Sequence, residues 1–122
     1  MTAIARFGLV ALDCPDPVAL AAFYGSITGW PIGSQDDDWV ELDSGGGPTI
    51  AFQLAPGHRP PVWPGDEHPQ EAHLDFDVSD LDDGERQVLA IGARKTEFQP
   101  SPDSWRVYLD LAGHPFCLVL SD

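Results

Sequence analysis

The stretch His73-Leu74-Asp75-Phe76-Asp77-Val78 sets an imidazole and two carboxylates at every second position. In an extended strand alternate side chains share a face, so His73, Asp75 and Asp77 lie opposite the apolar Leu74, Phe76 and Val78. A histidine beside an aspartate can hold an ion, or it can act as an acid/base couple whose carboxylate orients the ring. The bland alternative is a hydrogen-bonded sheet histidine with a solvated carboxylate, and spacing alone leaves the two open. The same parity isolates Cys117 opposite Phe116 and Leu118, and Gln53 opposite Phe52 and Leu54. It also isolates Trp39 and Glu41 opposite Val40 and Leu42. Cys117 reads as a small apolar filler before it reads as a nucleophile. Trp39, Trp63 and Trp105 are core residues or the stacking walls of a pocket. Trp63, set between prolines, is expected to be partly exposed and to form a lid. His58 and His68 fall in irregular sequence, where His68 with His73 makes a weak metal pair. His114 belongs to a turn.

These residues need elements to hold them. RFGLVALDC reads as a strand, and Asp16 then caps PVALAAFYGSIT, with Pro17 at the first helical position and Gly29 as the stop. Leu20, Phe23, Tyr24 and Ile27 share one helical face. DDWVELDS, GGGP and TIAFQLA form a hairpin, and the prolines between Pro56 and Pro69 forbid regular structure. The order then repeats: the His73 strand, Asp80 as cap, a helix through Ile91 closed by Gly92, and a hairpin of SWRVYLDL and HPFCLVL. A third strand of each half is weakly marked near Pro31–Ser34 and Ala93–Phe98. The two caps are 64 residues apart, and that offset carries Phe52, Gln53 and Leu54 onto Phe116, Cys117 and Leu118. The pattern predicts an α+β fold of two fused βαβββ modules forming a curled mixed sheet around a cleft. One domain spans 1–122: module one about 1–55, a proline-rich linker about 56–70, and module two about 71–122.

Composition limits what such a cleft would accept. Six Lys+Arg against 20 Asp+Glu give a formal charge of −14, which repels nucleic acid and anionic lipid. The apolar run before Asp13 is too short for a secretion signal or a membrane span. Cys14 and Cys117 fit reduced thiols, so a cytoplasmic location is expected. No glycine-rich phosphate loop, G-x-S-x-G, C-x-x-C or H-E-x-x-H occurs.

The segments DPVALAAFYGSITGW, AHLDFDVSDLDDGERQVLAIGA and YLDLAGHPFCLVL resemble the vicinal oxygen chelate superfamily of glyoxalase I, ring-cleaving dioxygenases, and fosfomycin- and bleomycin-resistance proteins. Within it the chain is most similar to glyoxalase-like domains carrying HLD and GHPFC strings, with Leu111 where that family commonly has proline. The resemblance implies a homodimer and a metal site drawn from the first and last strands of each module, usually His or Gln, Glu, His and Glu. Those places fall on Leu9 (or Gly8), Gln53, His73 and Cys117 here. That set holds one imidazole and no carboxylate, too poor for an octahedral divalent ion. No metal cofactor is therefore expected; if a divalent metal binds, Gln53 and His73 are its ligands.

The expected function is binding and sequestration of a neutral or cationic aromatic small molecule. Trp39, Glu41, Gln53, Trp63, His73, Asp75, Arg106 and Cys117 would line the site, and Arg106 is the basic residue expected on a cleft-side strand. The alternative is a divergent lyase or isomerase in which His73 and Asp75 are catalytic, with or without a metal. A domain acting through protein contacts alone leaves the polar strand face unexplained.

Overall fold

The computed structural model describes residues 3, 6–65 and 72–121, so His68 lies outside the described residues. The chain divides into two compact units, Met1–His58 and Arg59–Asp122. Each unit carries a four-stranded mixed sheet and one helix, and the fold is α+β. Among the described residues no helix is long and apolar enough to cross a membrane.

The first unit runs β1 (Leu9–Cys14), α1 (Pro17–Thr28), β2 (Ile32–Gln35), β3 (Trp39–Leu42) and β4 (Thr49–Leu54), with sheet order β1-β4-β3-β2. Helix α1 starts as the sequence predicts: the Asp16 carboxylate accepts from the Ala19 amide at 3.1 Å, with Pro17 following. It ends at Gly29, whose φ of 79° lies in the left-handed region that glycine enters without strain. Val40, Leu42, Ile50, Phe52 and Cys14 are buried, as alternation requires. Tyr24 of the helix stacks on Phe52 with ring centroids 5.7 Å apart. Burying each such ring contributes about 1.5–3 kcal/mol.

The second unit repeats this order as β5 (Leu74–Val78), α2 (Leu81–Ala90), β6 (Arg94–Lys95), β7 (Trp105–Leu109) and β8 (Pro115–Leu120), with sheet order β5-β8-β7-β6. Asp80 caps α2 by accepting from the Asp83 amide at 3.0 Å. Gly84 lets α2 lie directly on its sheet, because a Cβ there would sit 3.1 Å from Leu118 Cδ1 and 3.3 Å from Val78 Cγ1. Phe116 and Tyr108 stack at 5.7 Å beneath the helix, and Phe76 meets Phe116 edge-on at 6.1 Å.

The strand registers refine the repeat. Leu9 pairs with Thr49, a separation of 40, whereas Leu74 pairs with Phe116, a separation of 42. The offset of 64 that relates the two caps therefore grows to 66 in the hairpins. Trp39 opposite Gln53 in the first unit corresponds to Trp105 opposite Val119 in the second. The counterpart of Cys117 is then Ala51, and the counterpart of Gln53 is Val119.

Candidate functional site

The polar face of β5 is where the sequence puts it. Asp75 lies beside Cys117 in the parallel β5–β8 pair, and Val107 faces Cys117 from β7. His73 precedes the strand and turns its Nε2 to within 3.1 Å of Asp75 Oδ1. The donor atoms of His73, Asp75 and Cys117 lie within 4.8 Å of one another. These three residues, with Trp63, Trp105, Val107, Pro115 and Val119, line a cavity of about 380 Å³. That volume suits a small organic molecule. Two indoles and aliphatic side chains form most of the wall, and the charged groups are gathered at Asp75.

Asp75 is the electrostatic centre of this group. Burial pushes the Cys117 thiol up to about 12, and the neighbouring Asp75 charge and its hydrogen bond to the thiol push the same way. The thiol is therefore held neutral, the reverse of what a cysteine nucleophile needs. The imidazole, on the other side, gives the same carboxylate a hydrogen-bonding partner. The arrangement can orient an imidazole, accept a proton or attract a cation.

Of the residues singled out in the sequence, Trp63, His73, Asp75 and Cys117 meet in this cavity. Trp39, Glu41 and Gln53 come together in the first unit: Trp39 pairs with Gln53, and its indole N–H donates to Glu41 Oε2 at 2.9 Å. Arg106 requires correction. Its strand does line the cavity, but through Trp105 and Val107. The Arg106 side chain takes the opposite face, where its Nη1 lies 2.9 Å from Asp82 Oδ1 and 3.5 Å from Glu85 Oε1 of α2. Carboxylates on the overlying helix draw the guanidinium there, so β7 alternates in the other phase. Trp105 is consequently a wall of the cavity, a role its sequence context left open. Val107, Pro115 and Val119 carry no chemical signal and follow only from knowing that phase.

A sequence model described as a glyoxalase-like domain matches residues 9–119. None of the curated proteins compared matches the chain. Among solved structures, the chain is similar to a glyoxalase/bleomycin resistance protein/dioxygenase family enzyme from Burkholderia phytofirmans, at 20% identity and a TM-score of 0.71, covering 93% of this chain and 97% of that one. A genomically encoded fosfomycin resistance protein from Listeria monocytogenes gives a TM-score of 0.69 at 13% identity, covering 100% and 95%. A bleomycin-binding protein from Streptomyces verticillus, complexed with copper(II)-bleomycin, gives 0.61 at 14% identity, covering 100% of both chains. The likeness to these structures is one of fold, and the match over residues 9–119 carries the assignment: the chain belongs to the glyoxalase-like domain family.

Proposed function

We propose that the cavity of the second unit binds a flat, neutral or cationic small molecule without changing it chemically, independently of a resident metal. The observation that carries this reading is the pairing of two indole walls, Trp63 and Trp105, with a single carboxylate centre at Asp75. Aromatic faces accept flat rings and cations alike, and the Asp75 carboxylate, its side chain 55% exposed, favours positive charge. The structural neighbours supply precedent for small-molecule binding on this fold, one of them complexed with copper(II)-bleomycin.

The donor set argues against the divalent metal that the superfamily resemblance implies. His73, Asp75 and Cys117 are close enough to touch one ion. Yet the set is one imidazole, one carboxylate and one thiol, and Asp75 already partners His73. The first-unit positions matching His73 and Cys117 by register are Leu9 and Ala51, whose side chains offer no donor. A hard divalent ion seeks six oxygen- and nitrogen-rich contacts, so these residues do not fit it.

One specific contact favours a second reading: the 3.1 Å approach of His73 Nε2 to Asp75 Oδ1 is the geometry of an acid/base couple. It supports a divergent lyase or isomerase. Calorimetry separates the two, using proflavine, a planar aminoacridinium cation, against the anionic 1-anilinonaphthalene-8-sulfonate. Binding should favour proflavine and weaken in Trp105→Ala and Asp75→Asn. Tighter binding of the anion would sink the binder reading. So would turnover of glutathione hemithioacetals that disappears in His73→Ala, or one equivalent of metal surviving dialysis and released by that substitution.

A further inference from the structure

Most of the cavity wall is built into the sheet, since Trp105, Val107, Pro115, Cys117 and Val119 belong to β7 and β8 and Asp75 to β5. Trp63 does not. It lies in irregular chain, outside every strand among the described residues. Two side-chain contacts bear on that indole. Pro60 packs on the turn after β7 so closely that a Cβ at Gly113 would fall 2.4 Å from Pro60 Cβ. Trp63 itself leans on Phe98, with ring centroids 5.8 Å apart and planes inclined by 34°.

Phe98 is 52% exposed and does not line the cavity. A large aromatic side chain left half in water contributes little to a core. Its backbone is nonetheless firmly placed. The Gln99 side chain acts as a surrogate strand neighbour for Val107, accepting from the Val107 amide at 2.9 Å and donating to the Val107 carbonyl at 2.8 Å. Gln99 Nε2 also donates to Thr96 O at 3.0 Å, and Thr96 Oγ1 donates to the Phe98 carbonyl at 2.9 Å. The residue clamped by Gln99, Val107, is itself a wall of the cavity. Loop and wall are thus referenced to the same point on β7.

From this geometry we infer that Phe98 is a positioning residue: it sets the Trp63 indole as the adjustable wall of the cavity and thereby determines its preference for flat ligands. The inference rests on the binding reading for its ligand, but the positioning itself is observable without one. An aromatic pair contributes beyond its buried area, and its loss lets Trp63 sample positions unsuited to stacking. A compact aliphatic cation, which can meet an indole face by charge but has no ring to stack, should be less sensitive to that change.

The experiment compares wild type, Phe98→Ala and Phe98→Tyr by indole ¹H–¹⁵N spectroscopy and by titration with proflavine and tetraethylammonium. The chain has four tryptophans, and Trp63→Phe identifies the relevant signal; the other three report that the fold is intact. In Phe98→Ala the Trp63 signal should shift or broaden, and proflavine affinity should fall roughly fivefold, the scale of one aromatic pair. Tetraethylammonium affinity should fall by less, since it has no ring to stack, and Phe98→Tyr should restore both the signal and proflavine binding. An unmoved Trp63 signal in Phe98→Ala overturns the inference whatever the ligand result. Equal losses for both cations also overturn it. Wild type binding neither cation would instead count against the binding reading, leaving the indole signal to decide the positioning.

Discussion

Asp75 touches both reactive-looking neighbours and treats them oppositely: it supplies an acceptor to His73 and suppresses ionisation of Cys117. The thiol makes the sharper test. Its pKa rises from 9.0 to about 12, by burial first and then by the Asp75 charge and hydrogen bond. Alkylation of Cys117 by iodoacetamide, followed site by site by mass spectrometry, should therefore stay slow well above pH 9. Asp75→Asn should move the rate profile to lower pH, because the Asp75 charge is removed. A profile unchanged by that substitution would show burial acting alone. The sign for stability follows from the same shift: a raised folded pKa contributes stability that is full below the unfolded value and is lost as pH rises through the folded one. Cys117→Ala should thus flatten the loss of stability between about pH 9 and 12. His73, Asp75 and Cys117 were legible in the sequence because alternation over Leu74–Val78 is strict. Gln53 was matched to Cys117 for a physical reason as well. Strand faces repeat every two residues, so a shift of two keeps every apolar residue inward and leaves no trace in the pattern. The register of the parallel pair alone distinguishes Gln53 from Ala51.

At the scale of elements, α2 and β7 are joined through Glu85. Tyr108 donates to its Oε1 at 2.9 Å, Lys95 lies 2.9 Å away and Arg106 3.5 Å away. Burial works to raise the Glu85 pKa, but hydrogen bonds from Lys95 and Tyr108 and the charges of Lys95 and Arg106 together hold it below the ordinary value. A depressed carboxylate contributes stability that is present above its unfolded pKa and lost as pH falls through the folded one. Glu85→Ala should destabilise the protein by about 1–2 kcal/mol near neutral pH, since it removes the acceptor of the buried Tyr108 hydroxyl. The difference from wild type should shrink in acid. Urea unfolding at two pH values checks both statements, and an equal difference at each would remove the electrostatic part of the account. This junction also explains why Arg106 was misplaced. In SWRVYLDL the apolar Trp105, Val107, Leu109 and Leu111 share one parity and Ser104, Arg106, Tyr108 and Asp110 the other, so alternation alone sends the apolar set to the helix and Arg106 to the wrong face. Only the helical carboxylates reveal which side takes the cation. The helices, by contrast, were plain from Asp16, Pro17, Gly29 and Asp80, whose capping roles depend on local geometry alone. Strand β6 spans two residues and β2 is exposed throughout, and such short edges leave little hydrophobic pattern to read.

Across the whole molecule the formal charge is −14, and this long-range field must be separated from the local effect of Asp75. Surface charges act over roughly 8 Å at physiological ionic strength and over greater distances in dilute salt. Their sum should raise the association rate of a cation and lower that of an anion, with both effects fading as salt is added. Asp75 is exposed in the free protein, but a ring bound against it would cover the contact, where added salt screens less. Proflavine association measured by stopped flow should therefore slow with rising salt in wild type, and should slow by a similar factor in Asp75→Asn. The dissociation rate should respond the other way round: nearly level with salt, but faster in Asp75→Asn by several-fold, the scale of one charge-assisted contact. If Asp75→Asn instead abolished the salt dependence of association, the attraction would be local, and the acidic surface would have no part in selecting the ligand.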